Sequence, residues 1–136
     1  MNIKPHFSSA TDRWATPPHV FAALDAEFRF DYDPCPLDGD SDGLLPLLSV
    51  WEGRRVYCNP LYGPGLGKWL QRGLEADLAV FLIPARTDTK WFHELVMPFA
   101  KEIRFLRGRL KFGDAITSAL FPSMVVVFKK TTANPQ

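Results

Sequence analysis

Asn59, Pro60 and Tyr62, set in the run Asn-Pro-Leu-Tyr directly after the apolar Val56-Tyr57-Cys58, bring an amide, a backbone carbonyl and an aromatic ring to one point of the chain. That trio meets the demands of methylating an exocyclic amine on a flipped-out base. The amine's lone pair is conjugated with the ring and attacks only once it is drawn out of conjugation. Two acceptors on its two N–H bonds achieve this, and the Asn59 side-chain oxygen and the Pro60 carbonyl are such a pair. Tyr62 offers a face on which an extruded base can stack, offsetting part of the flipping cost, on the order of a few kcal/mol. The same acceptor pair serves any exocyclic amine, in DNA or in RNA. Two plainer readings stand beside this one. Asn-Pro is a common turn signal, and Asn-Pro-x-Tyr is also a sorting signal of disordered tails, although here it lies between a strand-like and a helical segment.

A strand ending at Asn59 is needed to aim these groups, and the pattern supplies it at Val56–Cys58. Upstream, Pro17 stands as a first helical position after the cap-like Thr16, and Val20, Phe21, Leu24 and Phe28 recur at helical spacing. Phe30 to Cys35 reads as the first strand. Residues 36–50 form a loop rich in Asp, Gly and Pro, and a loop that long in a small domain is often functional. Lys68, Trp69, Leu70, Leu74 and Leu78 fall on a second helix. Ala79 to Pro84 is continuously apolar, which predicts a parallel strand covered on both faces. Thr89 to Ala100 reads as a helix carrying Trp91, Phe92, Leu95 and Val96 as core residues, with Asp88 placed to cap it. Ile103 to Phe112 reads as strand, turn at Gly108 and strand, and Met124 to Phe128 as a last buried strand. Residues 1–11 and 130–136 read as flexible ends of a single domain spanning 1–136. The alternation predicts an α/β fold with a small, reduced Rossmann-like sheet, mixed but mostly parallel.

Five further segments, in order around Asn59-Pro60-Leu61-Tyr62, resemble the phage-type DNA N6-adenine methyltransferase (Dam) family over nearly the whole chain. Trp14-Ala15-Thr16-Pro17 is similar to its opening Trp-x-Thr-Pro, and Phe30-Asp31-Tyr32-Asp33 to the strand whose last Asp belongs to the cofactor pocket. Asn59-Pro60-Leu61-Tyr62 is followed by Leu82-Ile83-Pro84-Ala85-Arg86-Thr87-Asp88-Thr89, by Trp91-Phe92-His93 and by Gly108-Arg109-Leu110-Lys111-Phe112. The resemblance implies an S-adenosyl-L-methionine-dependent methyltransferase fold acting on adenine N6 in duplex DNA, of the kind that bacteriophages and prophages encode. It implies catalytic roles for Asn59, Pro60 and Tyr62, and a cofactor pocket drawn from Trp14, Thr16, Asp33, Cys35 and Asn59. A noncatalytic DNA-binding module of the same fold, and methylation of RNA adenine or of cytosine N4, are the alternatives. The family carries a second proline where this chain has Leu61. A residue before proline is held towards extended ψ, so Leu61 lifts a restriction on the Pro60 carbonyl and predicts looser preorganisation. Pro34-Cys35-Pro36 also departs from the family's small or apolar residues.

The remaining candidates follow from charge and composition. Hydrophobic residues make up 46% of the 136 and charged ones 23%, as in an ordinary globular domain that buries roughly two-thirds of its unfolded surface. No apolar run reaches the roughly 18 residues of a membrane span, and no signal peptide opens the chain, so a cytoplasmic protein is expected, in the host if phage-encoded. Cys35 and Cys58 read as reduced packing residues, and His6, His19 and His93 lack metal-ligand spacing, so no metal is expected. Net charge is +1, yet Asp25 to Glu52 holds eight acids against Arg29, and Lys101 to Gly113 holds five bases against Glu102. An acidic wall suits a cofactor with a sulfonium and an ammonium, and a basic segment suits phosphates; solvated faces of accidental sign are the plain alternative. Arg86, Arg107, Arg109 and Lys111 are the candidate DNA contacts, with Arg109 and Lys111 on one side of a predicted strand. Asp88 joins them unless it serves only as a cap. Asp33 at a strand's carboxyl end suits a ligand, or else a turn. His93 is not needed as a base, because the amine proton becomes acidic only after the methyl arrives.

Overall fold

The structure, a computed structural model, describes residues 16–34, 51–60, 65–111 and 121–130. Strands Arg55–Cys58 (β1), Leu78–Pro84 (β2), Glu102–Phe105 (β3) and Ser123–Lys129 (β4) form one sheet in the order β1-β2-β4-β3. β1 and β2 run parallel, with Cys58 opposite Phe81. Helix Leu66–Gly73 (α2) makes the crossover between them, as a parallel pair requires. β4 lies antiparallel to both β2 and β3. The expected mostly parallel sheet is therefore not found among the described residues. Its one parallel pair is extended only by a bridge from Tyr32 to Val56, which is all that the structure keeps of the expected first strand up to Pro34. β2 is parallel to β1, as expected of the run Ala79–Pro84, and antiparallel to β4. All seven β2 residues are buried, as expected, but cover on both faces constrains side chains and not the direction of neighbouring strands.

Alternation along the strands sends side chains to two faces, each closed by helix. Helix Pro18–Phe28 (α1) puts Val20, Phe21, Leu24 and Phe28 against Tyr57, Val80, Leu82, Val125 and Val127. On the other face α2 buries Leu66, Trp69, Leu70 and Gly73, spaced i, i+3, i+4, i+7, against Val56, Phe81 and Phe128. The backbone at Gly73 comes so close to the sheet that a β-carbon there would stand 2.5 Å from the Phe81 ring. Trp51, fully buried, lies between Tyr32, Trp69 and Phe81. Arg29 ends α1 in the left-handed region at φ 56°, and the Arg55 guanidinium donates to the carbonyls of Phe28 and Arg29. This is a helix C-terminus satisfied by a cation from the neighbouring strand.

Several local expectations change. Leu78 begins β2 and is not part of α2. The third helix passes through a π-helical stretch, Phe92–Val96, before the short α3, Met97–Phe99. Its first turn is capped by Thr89, whose hydroxyl accepts from the Phe92 N–H at 3.2 Å, and not by Asp88. After β3 the chain bends at Gly108 (φ 73°), and Arg109 to Lys111 is not a strand. Arg109 and Lys111 therefore do not share a strand face.

Candidate functional site

β1 leaves the core at Cys58, so the next residue, Asn59, emerges at the carboxyl end of a parallel pair, where open α/β sheets bind ligands. It stays 7% exposed, and Pro60 after it is buried. Its amide Nδ2 donates to Thr16 Oγ1 at 3.1 Å, and Thr16 Oγ1 lies 2.5 Å from the phenolic oxygen of Tyr57. Tyr57 is 2% exposed. Its ring is met edge-on by Phe21, with centroids 5.1 Å apart, and at a tilt by Phe30 at 5.4 Å. Tyr57 and Asn59 are two residues apart and so share the α1 side of the sheet. Tyr57 is the site residue that sequence reasoning missed; its separation of two from Asn59 was the available signal.

Thr16 is not the helix cap it resembles. Pro17 takes the N-cap position, Pro18 follows at the first helical position, and no side chain caps α1. The hydroxyl points instead to Tyr57 and Asn59. Asp33 lies one residue beyond the Tyr32–Val56 bridge, and Tyr57 donates its N–H to the Tyr32 carbonyl at 3.0 Å. The Asp33 backbone thus follows directly on the segment paired with β1, and its side chain is exposed. Asp31, just before it, clamps the start of β1 through hydrogen bonds with Arg55.

Beyond β2, at this same end of the sheet, Arg86 is exposed and its backbone is fixed on both sides. Its N–H donates to the Pro84 carbonyl at 2.9 Å, and its own carbonyl accepts from the Thr89 hydroxyl at 2.9 Å. The guanidinium lies over the Phe121 ring at 5.7 Å. Asp88 is exposed in that turn. His93 Nε2 is 2.7 Å from the Thr87 carbonyl, which ties the helix back to the loop.

The basic segment is less uniform than its composition. Arg104 is held by Glu27 at 2.5 Å and Glu102 at 2.7 Å, and it covers the Phe28 ring at 5.3 Å. These contacts lower the Glu27 carboxyl below its ordinary range and raise the Arg104 guanidinium, hydrogen bonding being the largest cause in both. Arg107, Arg109 and Lys111 are exposed at the far end of β3. The opposition of an acidic and a basic half is thus partly a cross-domain ion pair. Trp14, Cys35 and Tyr62, with Leu61, lie outside the described residues. Cys58 is buried as a thiol. Among the described residues no group of three His, Cys, Asp or Glu is placed to hold a metal, and no helix is long and apolar enough to cross a membrane.

A family model described as DNA N-6-adenine-methyltransferase (Dam) matches residues 6–135, nearly the whole chain. No curated protein and no solved structure matches it.

Proposed function

The chain belongs to the DNA N-6-adenine-methyltransferase (Dam) family, and from that premise we propose that it methylates adenine N6 in DNA, with S-adenosyl-L-methionine as the donor. The observation that carries the proposal is Asn59, almost wholly buried at the carboxyl end of β1 with the donor branch of its amide turned to Thr16. A planar amide that gives its –NH2 to one neighbour presents its oxygen on the other branch. That oxygen accepts one N–H of the adenine amine and the Pro60 carbonyl accepts the second. With both hydrogens held, the nitrogen becomes pyramidal and its lone pair points forward. Tyr62 stacks on the extruded base. The proton shed after transfer leaves to solvent, so no side-chain base is required.

The residues at this end of the sheet fit a donor of that chemistry. Asp33 provides a carboxylate for an ammonium or a ribose hydroxyl, and the family resemblance assigns Trp14 and Cys35 to the same pocket. When bound, S-adenosyl-L-methionine supplies a methyl group on a sulfonium, which departs as a neutral thioether. Arg86, fixed in its turn, and the exposed Arg107, Arg109 and Lys111 serve as contacts to the phosphates, with Asp88 beside Arg86.

Leu61 in place of a second proline is the observation that favours the alternative, a noncatalytic DNA-binding module. Incubation with methyl-labelled donor and duplex DNA, followed by digestion to nucleosides, separates the two. Label in N6-methyl-2′-deoxyadenosine is the expected result. Binding of DNA without transfer would reject the enzyme, and label on cytosine N4 would reject the choice of amine.

A further inference from the structure

Thr16 occupies an unusual position for a residue before a helix. A threonine at such a start ordinarily turns its hydroxyl to the first free N–H groups, yet α1 has no side-chain cap. Pro17 (φ -56°, ψ 133°) and Pro18 follow it, and a residue before proline is driven to extended backbone. Thr16 is thereby held off the helix axis by covalent restraint. Its hydroxyl meets two partners that are distant in sequence and fixed in space, the Tyr57 phenol and the Asn59 amide.

Taking the proposed function as premise, we propose that Thr16 is a positioning residue that acts through Asn59 and not through the cofactor, with Tyr57 setting the direction of the hydrogen bonds. Asn59 is useful only with its oxygen towards the substrate amine. An amide can rotate by half a turn and exchange oxygen for nitrogen, and a hydroxyl alone does not prevent this, because it both donates and accepts. Tyr57 gives the hydroxyl its second partner. With the –NH2 branch of Asn59 donating to Thr16, the Thr16 hydrogen is left for the phenolic oxygen 2.5 Å away, and an accepting phenol favours that arrangement over the flipped amide. The phenolic oxygen is held in place by the packing of its ring on Phe21 and Phe30, so this partner is in position before substrate arrives.

Thr16→Val, Thr16→Ser and Tyr57→Phe test this in single-turnover methylation at saturating S-adenosyl-L-methionine, with isothermal titration of the same cofactor and thermal melts alongside. Thr16→Val should slow transfer by about tenfold or more, because a misplaced acceptor is costly at a reacting centre, while cofactor affinity stays within about twofold. Thr16→Ser should restore most of the rate, and Tyr57→Phe should slow transfer by freeing the amide to rotate. A Thr16→Val rate equal to wild type, a loss confined to cofactor affinity, or no rescue by serine in a folded variant would each overturn the proposal. The side-chain amide resonance of Asn59 in 15N-labelled protein gives a reading independent of turnover. It should move in Thr16→Val and in Tyr57→Phe, and an unmoved resonance overturns the coupling. Wild-type protein that transfers no methyl while this resonance does move would reject the functional reading and retain the Thr16–Asn59 coupling.

Discussion

Asn59→Ala separates catalysis from folding because the two losses differ in size. On the folding side, the variant loses the 3.1 Å bond from Nδ2 to Thr16, while Thr16 keeps its 2.5 Å contact with Tyr57 and is not orphaned. Such a bond is worth about 1 kcal/mol net. The space left by a carboxamide at the rim of the core adds little, for a total of about 1–2 kcal/mol. A chain of 136 residues has an unfolding entropy of roughly 0.3 kcal/mol per kelvin, so the melting temperature should fall by about 3–7 °C. On the catalytic side, losing one preorganised acceptor should slow transfer by about 10²–10³, equivalent to about 2.7–4 kcal/mol. Single-turnover methylation at 25 °C, where the variant is still folded, reads the second loss without the first. Asn59→Asp is the finer probe. It keeps an acceptor oxygen but replaces the –NH2 that Thr16 receives, so its rate should lie between those of alanine and wild type. Near-normal turnover in Asn59→Ala would refute the acceptor mechanism.

Three further outcomes test the fold and the DNA surface. In Gly73→Ala the new β-carbon would meet the Phe81 ring at 2.5 and 2.7 Å and the Phe128 ring at 3.0 Å; overpacking against these buried rings costs about 1–3 kcal/mol, more than the roughly 1 kcal/mol that helix propensity returns, so thermal melts should show a net loss, and a stabilised variant would contradict the packing of α2. Glu27 is held below its ordinary pKa of 4.5 by the Arg104 hydrogen bonds, so its contribution to stability is complete above pH 4.5 and is lost as pH falls through the lowered value. The melting-temperature gap between wild type and Glu27→Gln should therefore narrow only below that pH, and a gap that does not depend on pH would reject the pairing. Replacing Arg107 and Lys111 by Gln should weaken DNA binding and reduce the log–log salt slope by about 0.9 for each contact removed; an unchanged slope would place the phosphate surface elsewhere.

What was legible in the sequence was what depends on neighbours along the chain. The apolar positions Val20, Phe21, Leu24 and Phe28 face the core at helical spacing, as expected. The continuous run Ala79 to Pro84 is a strand buried on both faces. Asn59 stands where a strand ending at Cys58 must leave it. Periodicity measures burial, and burial governs these features. It carries no information about strand direction, so β4, as apolar as β2, gave no sign of returning antiparallel to it.

Residues whose partners are distant in sequence were beyond the reach of local pattern. Arg104 looks as free to meet a phosphate as Arg107 does, until the sheet brings Glu27 to it across 77 positions. Thr16 looks like a cap because threonine before Pro-Pro at a helix start usually is one, and its real partners are 41 and 43 positions away. Both cases have one physical origin. A polar side chain at a domain edge chooses among nearby donors and acceptors by small differences in free energy, on the order of 1 kcal/mol, and tertiary geometry decides which of them is within reach. The hydrophobic pattern carries many such increments in concert, so it survives the loss of any one. In the proposed mechanism the orientation of Asn59 leans on its contact with Thr16 and on that of Thr16 with Tyr57, so the Thr16 and Tyr57 variants should bear on the chemistry more sharply than on the fold.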